Sequence, residues 1–125
     1  MQSPTEQNDL SITLEWLYST QMFGIKLGLE NITRLLREAE CFPNSRSKII
    51  QVVGTNGKGS TSSFLESLAQ AHGIKTGMFT SPHLIHFSER IRVNGLDISE
   101  PDLTEHLFYF KELVEDWDPH PTFFE

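Results

Sequence analysis

The chain has 125 residues, of which 38% are hydrophobic and 22% are charged, and these values fit one globular domain rather than a membrane protein or a fibrous repeat. Ten Lys and Arg residues against seventeen Asp and Glu residues give a net charge of −7. A general nucleic-acid surface is excluded because such surfaces are basic, whereas one anionic ligand held by backbone amides and a lysine is not.

The first half of the chain predicts two helices and a strand. Apolar residues at helical spacing predict a helix from Leu10 to about Ser19, after a polar tail at residues 1–9. A second amphipathic stripe predicts a helix over residues 29–39, which the sequence Pro43-Asn44-Ser45 ends. The sequence IIQVV at residues 49–53 is short and β-branched, which is typical of a strand buried on both faces.

A glycine-rich turn at residues 54–60 leads into a predicted helix that ends at His72, with Gly73 as its left-handed cap. Residues 76–80 predict a second strand. A strand, a glycine loop, a helix and a strand together predict a right-handed βαβ unit with parallel strands. The predicted fold class is therefore α/β, the first part of a P-loop-like parallel sheet with flanking helices.

The last third of the chain predicts a hairpin and one helix. Asn94-Gly95 is a strong hairpin signal within residues 87–98. Ser99 is the predicted N-cap of a helix whose apolar stripe runs from Leu103 to Val114 and which Pro119 ends. Because two buried-type strands are too few for a covered parallel sheet, we expect the chain to be the first part of a longer protein.

The single cysteine, Cys41, excludes an intrachain disulfide and a cysteine-rich zinc site, and a reducing compartment is the better interpretation. The first ten residues are polar and acidic, unlike a signal peptide. No apolar run approaches the roughly 18 residues of a membrane helix. We therefore predict a cytoplasmic protein that does not bind a membrane.

The segment GTNGKGST at residues 54–61 is the main candidate site. Its glycines allow a tight turn whose N–H groups, with the following helix N-terminus, suit phosphate oxygens. Lys58 can reach terminal phosphates, and the hydroxyl of Ser60 or Thr61 can ligate Mg²⁺. The alternative is a glycine-rich turn without a ligand, since Lys58 lies closer to Gly54 than the P-loop pattern requires. The candidate nucleotide-binding residues are Gly54, Thr55, Asn56, Gly57, Lys58, Gly59, Ser60 and Thr61.

A second candidate segment, Thr80-Ser81-Pro82-His83-Leu84, follows the second predicted strand. The carboxyl ends of parallel strands are where ligands bind, so Ser81 could supply an oxygen to Mg²⁺ and His83 could contact phosphate or substrate. The alternative is a proline turn with solvated side chains. Further along, Arg90 and Arg92 could hold an anion bidentately, or could form a solvated hairpin with a Glu–Arg pair.

Taken together, residues 53–60 (VGTNGKGS), 80–84 (TSPHL) and 89–91 (ERI) resemble the folylpolyglutamate synthase/dihydrofolate synthase family, a branch of the Mur ligase superfamily. Gly28-Leu29-Glu30 and the terminal TFFE at residues 122–125 match in order and approximate spacing. The asparagine and the extra glycine of GTNGKGS favour the folate branch over the cell-wall ligases.

The resemblance implies an ATP-dependent amide ligase of folate biosynthesis and one-carbon metabolism. Such an enzyme adds L-glutamate to dihydropteroate, to folate or to both through an acyl phosphate, and ATP and Mg²⁺ are its cofactors. Its partners are small molecules only, and we expect a monomer. The resemblance makes Lys58 the catalytic residue and places Ser60 and Ser81 at magnesium. The substrate-binding residues that it implies are Lys26, Leu27, Gly28, Pro82, His83, Arg90, Thr122, Phe123, Phe124 and Glu125.

The resemblance also implies a domain organisation. Residues 1–125 correspond to the N-terminal part of the ATP-binding domain, and a C-terminal domain is absent. We therefore expect the chain alone to be an incomplete enzyme. Two alternatives remain open at this point: a nucleotide-binding fragment without catalysis, and another Mur-type ligase.

Overall fold

A computed structural model of the chain describes residues 4–24, 28–42 and 47–125. The chain divides into two compact units, one formed by Met1–Lys48 with Leu103–Glu125 and the other by Ile49–Asp102. In chain order the elements are α1 (Pro4–Ser19), a 3-10 helix (Thr20–Phe23), α2 (Glu30–Glu38), α3 (Lys58–Ala71), β1 (Gly77–Phe79), a second 3-10 helix (Phe87–Arg90), β2 (Ile91–Val93), β3 (Leu96–Asp97) and α4 (Glu100–Val114).

The first unit is a helical cluster with an apolar core. Leu35, Val114 and Trp117 are buried at its centre, and Trp16, Ile32, Phe110 and Leu113 pack against them. The Arg34 guanidinium lies 3.7 Å from the centre of the Trp117 ring, so its stem and charge cover that ring. The predicted helices over residues 10–19 and 29–39 are confirmed, and α1 begins at Pro4, within the stretch expected to be a polar tail.

The second unit places α3 against a small antiparallel sheet with the strand order β1-β2-β3. Phe79 pairs with Ile91 across β1 and β2, and Val93 pairs with Leu96 across β2 and β3. A tight turn at residues 94–95 joins β2 to β3. That turn is the predicted Asn94-Gly95 hairpin, with φ of 50° and 82°, the conformation that a two-residue turn of this type needs. The predicted cap at Gly73 is confirmed by its φ of 72°.

A buried ion pair ties α3 to the hairpin. The Arg92 Nη1 atom lies 3.2 Å from Glu66 Oε2, and the Glu66 side chain is only 5% exposed. Arg92 Nη2 also donates a 2.6 Å hydrogen bond to the Gly95 carbonyl. One side chain therefore connects the helix, the second strand and the turn.

The predicted strand at residues 49–53 does not form in the described part of the chain. Ile49, Ile50 and Val53 are 74%, 70% and 77% exposed, whereas a strand of a parallel sheet is covered on both faces. The second predicted strand exists as β1 but pairs antiparallel with β2. The described chain is thus a mixed α/β fold, and its sheet is built from the hairpin because the Asn94-Gly95 turn sets that pairing locally.

Candidate functional site

The glycine-rich segment forms a tight turn at the start of α3. Gly54 has a φ of 151° and Gly57, the residue that precedes the helix, has a φ of 78°, values that side-chain-bearing residues rarely adopt. The first helical hydrogen bond runs from Thr61 N to Gly57 O at 2.9 Å. The N–H groups of Lys58, Gly59 and Ser60 precede that bond, so helix geometry leaves them for a partner outside the helix.

The Lys58 side chain folds back over this turn. Its Nζ atom donates to the Gly54 carbonyl at 2.8 Å and to the Thr55 carbonyl at 3.4 Å. Residues 54–61 are all exposed, so the ammonium group and the turn are both open to solvent. Gly59 differs from Gly54 and Gly57, because its φ lies outside the range that favours glycine.

The site loop, defined as residues 80–90, connects β1 to β2. Thr80 N donates to Arg90 O at 2.9 Å and closes its base. Ser81 and Pro82 are exposed just beyond the carboxyl end of β1. His83 and Arg90, both candidate substrate-binding residues, are brought together, since Arg90 Nε donates to His83 Nδ1 at 2.8 Å.

Glu89 is a residue of this loop that sequence reasoning missed. Its carboxylate accepts hydrogen bonds from three consecutive backbone N–H groups, those of Leu84, Ile85 and His86, at 2.8, 2.9 and 2.7 Å. These bonds lower the pKa of Glu89 from 4.5 to about 2, and the bond from His86 N makes the largest contribution. A glutamate three residues after an N-cap residue is a sequence signal for the start of a helix, but His86 is not one of the usual N-cap residues.

Two of the candidate metal-binding residues offer hydroxyl oxygens. The exposed hydroxyls of Ser60 and Ser81 are hard oxygen donors of the kind that Mg²⁺ accepts. Among the residues that the structure describes, no three His, Cys, Asp or Glu side chains form a group able to hold a metal ion. The hydroxyls therefore fit a role beside phosphate oxygens.

The other candidate substrate residues lie in the helical unit. Thr122, Phe123 and Glu125 line an apolar cavity of about 220 Å³ between α1, α2 and α4, whereas Phe124 is exposed. The Glu125 carboxylate accepts from Thr122 N at 2.9 Å and from Asn31 Nδ2 at 3.4 Å, so the chain end is tied to α2.

The remaining candidates in this unit lie before α2. Gly28 has a φ of 135°, and a Cβ there would collide with the Glu30 carboxylate. Lys26 and Leu27 lie outside the described residues. Within the described ranges, no helix combines the length and the apolar character needed to cross a membrane.

Known proteins of similar sequence share one description. The chain is 40% identical over 114 residues to the dihydrofolate synthase/folylpolyglutamate synthase of Bacillus subtilis, covering 88% of this chain and 26% of that protein. It is 43% identical over 83 residues to a folylpolyglutamate synthase of Arabidopsis thaliana, covering 63% of this chain and 14% of that protein. No family model matches the chain.

Solved structures agree with these relatives. The bifunctional folylpolyglutamate synthase/dihydrofolate synthase of Yersinia pestis, complexed with AMPPNP and a Mn ion, superposes with a TM-score of 0.77 at 33% identity, covering 98% of this chain and 29% of that one. A folylpolyglutamate synthase of Thermotoga maritima superposes with a TM-score of 0.76 at 34% identity, and the match covers 94% of this chain and 28% of that one. The chain thus spans about a quarter of the length of these proteins. By sequence and by fold, the chain is thus similar to one part of proteins described as folylpolyglutamate synthase/dihydrofolate synthase.

Proposed function

We propose that the chain is the phosphate-binding part of an ATP-dependent ligase that joins L-glutamate to dihydropteroate or to folate. The observation that carries the proposal is the turn at residues 54–57, with Gly54 and Gly57 at positive φ and Lys58 folded over it at the start of α3. The Yersinia structure is complexed with AMPPNP and a Mn ion. Its match covers 98% of the present chain, at 33% sequence identity. We also propose that residues 1–125 are the N-terminal part of an ATP-binding domain whose complete sheet is P-loop-like and parallel.

The reaction has two steps that demand charge stabilisation and positioning. A carboxylate oxygen of the folate substrate attacks the γ-phosphorus of ATP, and ADP leaves. The amino nitrogen of glutamate then attacks the acyl carbon, and phosphate leaves as the amide forms. In the first step charge accumulates on the transferred phosphoryl group, and fixed donors stabilise it more effectively than flexible ones.

Different residues of this chain would bind the phosphates and hold the metal ion. The N–H groups of Lys58, Gly59 and Ser60 bind phosphate oxygens, as does the Lys58 ammonium after it leaves the Gly54 carbonyl. The hydroxyls of Ser60 and Ser81 would hold Mg²⁺ beside the phosphates, where the ion neutralises phosphoryl charge. Thr55, Asn56 and Thr61 complete the proposed nucleotide site.

The substrate side of the proposal uses two separate groups of residues. In the sheet unit, Pro82, His83 and Arg90 contact the anionic end of the substrate, and the 2.8 Å bond between His83 and Arg90 supports their acting as a pair. In the helical unit, Gly28, Thr122, Phe123, Phe124 and Glu125 contact its pteroate part, which the apolar cavity at Thr122 and Phe123 supports. Lys26 and Leu27 keep the same proposed role.

Nucleotide binding by the 125-residue chain tests the phosphate site. Equilibrium titration with MgAMPPNP should show a Kd for Lys58→Ala that is about ten- to a hundredfold higher than for the unmodified chain. That range corresponds to the loss of one charge-assisted contact of roughly 1.5–3 kcal/mol. Lys75→Ala, an exposed lysine beyond α3, is the matched control and should leave the Kd unchanged.

Two outcomes would overturn the proposal. A folded Lys58→Ala chain that binds MgAMPPNP as tightly as the unmodified chain would remove the phosphate-loop role. Absence of ADP and phosphate release by the protein expressed from its own gene, with dihydropteroate or folate, L-glutamate and MgATP present, would leave nucleotide binding without ligation as the function.

A further inference from the structure

The tip of the site loop keeps its conformation without an apolar core. Leu84 and Ile85 are 91% and 78% exposed, so burial of their side chains contributes little to the loop. The base of the loop is closed by the Thr80–Arg90 backbone bond, which lies at the edge of the β1–β2 ladder. A different interaction must therefore hold the residues between the base and the tip.

The Glu89 carboxylate supplies that interaction. Oε2 accepts from Leu84 N, and Oε1 accepts from both Ile85 N and His86 N, all within 2.9 Å. Hydrogen bonds from backbone N–H groups to an ionised carboxylate are about twice as strong as neutral ones. Three of them on one side chain fix three consecutive peptide planes of the loop.

His83 directly precedes residues 84–86, which Glu89 holds, and Arg90 directly follows Glu89. Arg90 donates its Nε–H to His83 Nδ1 at 2.8 Å, and a neutral imidazole that accepts at Nδ1 carries its proton on Nε2. The Phe87 ring lies 5.7 Å from the His83 ring and 5.3 Å from the Arg90 guanidinium carbon, which restricts both side chains. His83 and Arg90 are thus fixed relative to each other, with the imidazole in one tautomer.

We propose that Glu89 is a positioning residue: by holding residues 84–86 it keeps His83 on Arg90, so that the His83 Nε2–H and the Arg90 guanidinium face an anionic substrate oxygen as one pair of donors. The substrate in this statement rests on the proposed function, whereas the positioning of the pair rests on the loop geometry alone. Glutamine cannot replace the carboxylate, because its amide offers one acceptor oxygen and directs an NH₂ group at a backbone N–H.

The experiment compares Glu89→Gln with the unmodified ¹⁵N-labelled 125-residue chain by NMR. We expect amide hydrogen exchange at Leu84, Ile85 and His86 to become at least tenfold faster in the variant. We also expect the His83 ring nitrogens, which report the Nε2–H form in the unmodified chain, to report a mixture of tautomers. The Asn94 amide, bonded to Thr76 O at 2.9 Å, serves as an internal reference that the sheet has folded.

Two further variants sharpen the result. Glu105→Gln, an exposed glutamate on α4, is the matched control and should change neither exchange at residues 84–86 nor the His83 tautomer. Glu89→Asp keeps the charge on a shorter side chain and should restore part of the protection, which a purely steric role of Glu89 would not predict. An unchanged tautomer with unchanged exchange in Glu89→Gln would overturn the proposal.

The ligation assay separates this inference from the proposed function. In the protein expressed from its own gene, Glu89→Gln should raise the KM for the folate substrate about tenfold and change kcat much less. A lost tautomer with an unchanged KM would contradict the substrate-facing role of the pair. Absence of ligation by the unmodified protein would contradict the proposed function and would leave the NMR result to decide whether Glu89 positions the pair.

Discussion

At the scale of single residues, Lys58 and Glu89 show how side chains stabilise irregular backbone. The Lys58 ammonium donates to two carbonyl oxygens of its turn, and the Glu89 carboxylate accepts from three N–H groups of its loop. Each charge is thereby matched to the backbone groups that its own loop leaves without a helix or sheet partner. The difference between them is that Lys58 holds the turn proposed to bind phosphate, whereas Glu89 holds neighbours of the proposed binding residues.

The pH dependence of the site loop follows from the Glu89 carboxylate. Its pKa in the folded chain is about 2, below its ordinary value of 4.5, so its stabilising contribution is complete above pH 4.5 and is lost as the pH falls towards 2. The charged or titratable groups near it are His83, His86 and Arg90. We expect the amide ¹H–¹⁵N signals of Leu84, Ile85 and His86 to titrate together with a midpoint near 2.

The control for this titration is Glu89→Gln, in which the low-pH transition of the three amides should disappear. The histidine ring signals, followed in the same spectra, identify any transition that belongs to the His83 or His86 ring instead. A shared midpoint near 4.5 in the unmodified chain would show that the carboxylate does not hold these amides.

At the scale of elements, the hairpin is fixed by its turn and by its contact with α3. Gly95 has a φ of 82°, and a Cβ there would lie 2.9 Å from Gln70 Nε2 and 3.0 Å from Gln70 Oε1. Gln70 in turn donates to the Thr76 hydroxyl at 3.1 Å. The turn therefore needs glycine for its backbone conformation, and a Cβ there would also require the end of the Gln70 side chain to shift.

Gly95→Ala should lower the free energy of unfolding by about 1–2 kcal/mol, the usual cost of a left-handed conformation in a residue with a side chain. The measurement is the urea midpoint of the chain. Gly77→Ala in β1 is the matched control, because Gly77 has an ordinary φ and a Cβ there would meet nothing within 4 Å. Equal midpoints for the two variants would contradict this account of the turn.

The elements that could be predicted from the sequence are those with local signals. The hairpin follows from Asn94-Gly95, and the start of α4 follows from Ser99, whose hydroxyl accepts from Asp102 N at 3.2 Å. The short, β-branched run at residues 49–53 predicts a strand, but a strand also requires a neighbour, which a local pattern does not specify. Pairing between distant segments is therefore where the sequence interpretation failed.

The candidate site also contains features that the sequence predicts and features that it does not. The turn at residues 54–57 could be predicted because glycine has its own backbone preferences. The pairing of His83 with Arg90 was not specified, although both residues were candidates. Glu89 could not be identified, since the residue three positions before it, His86, is not one of the usual helix-capping residues.

At the scale of the whole molecule, the chain spans between 14% and 29% of the length of the relatives described above. The described residues also contain no group of three acidic, histidine or cysteine side chains able to hold a metal ion. Phosphoryl transfer needs its charge neutralised and its reactants positioned, and a well-placed substrate contributes several kcal/mol to lowering the barrier. We therefore expect a chain of this length to meet only part of these requirements.

Residues 1–125 alone should show no ligase turnover, even where they bind MgAMPPNP. The measurement is phosphate release with dihydropteroate or folate, L-glutamate and MgATP, after folding has been checked by circular dichroism. The Lys58→Ala chain provides the background rate. Substrate-dependent release above that background would show that these residues suffice for catalysis and would contradict the prediction.

The exposed sequence IIQVV at residues 49–53 has a practical consequence for such measurements. It is β-branched, contains neither charge nor proline, and presents Ile49, Ile50 and Val53 to solvent. Extended segments of this kind act as templates for pairing between chains, which leads to aggregation. Lys48 supplies one charge at its edge, and charged flanking residues oppose such pairing. Self-association of the isolated chain should therefore increase with protein concentration and with ionic strength, as screening weakens that repulsion.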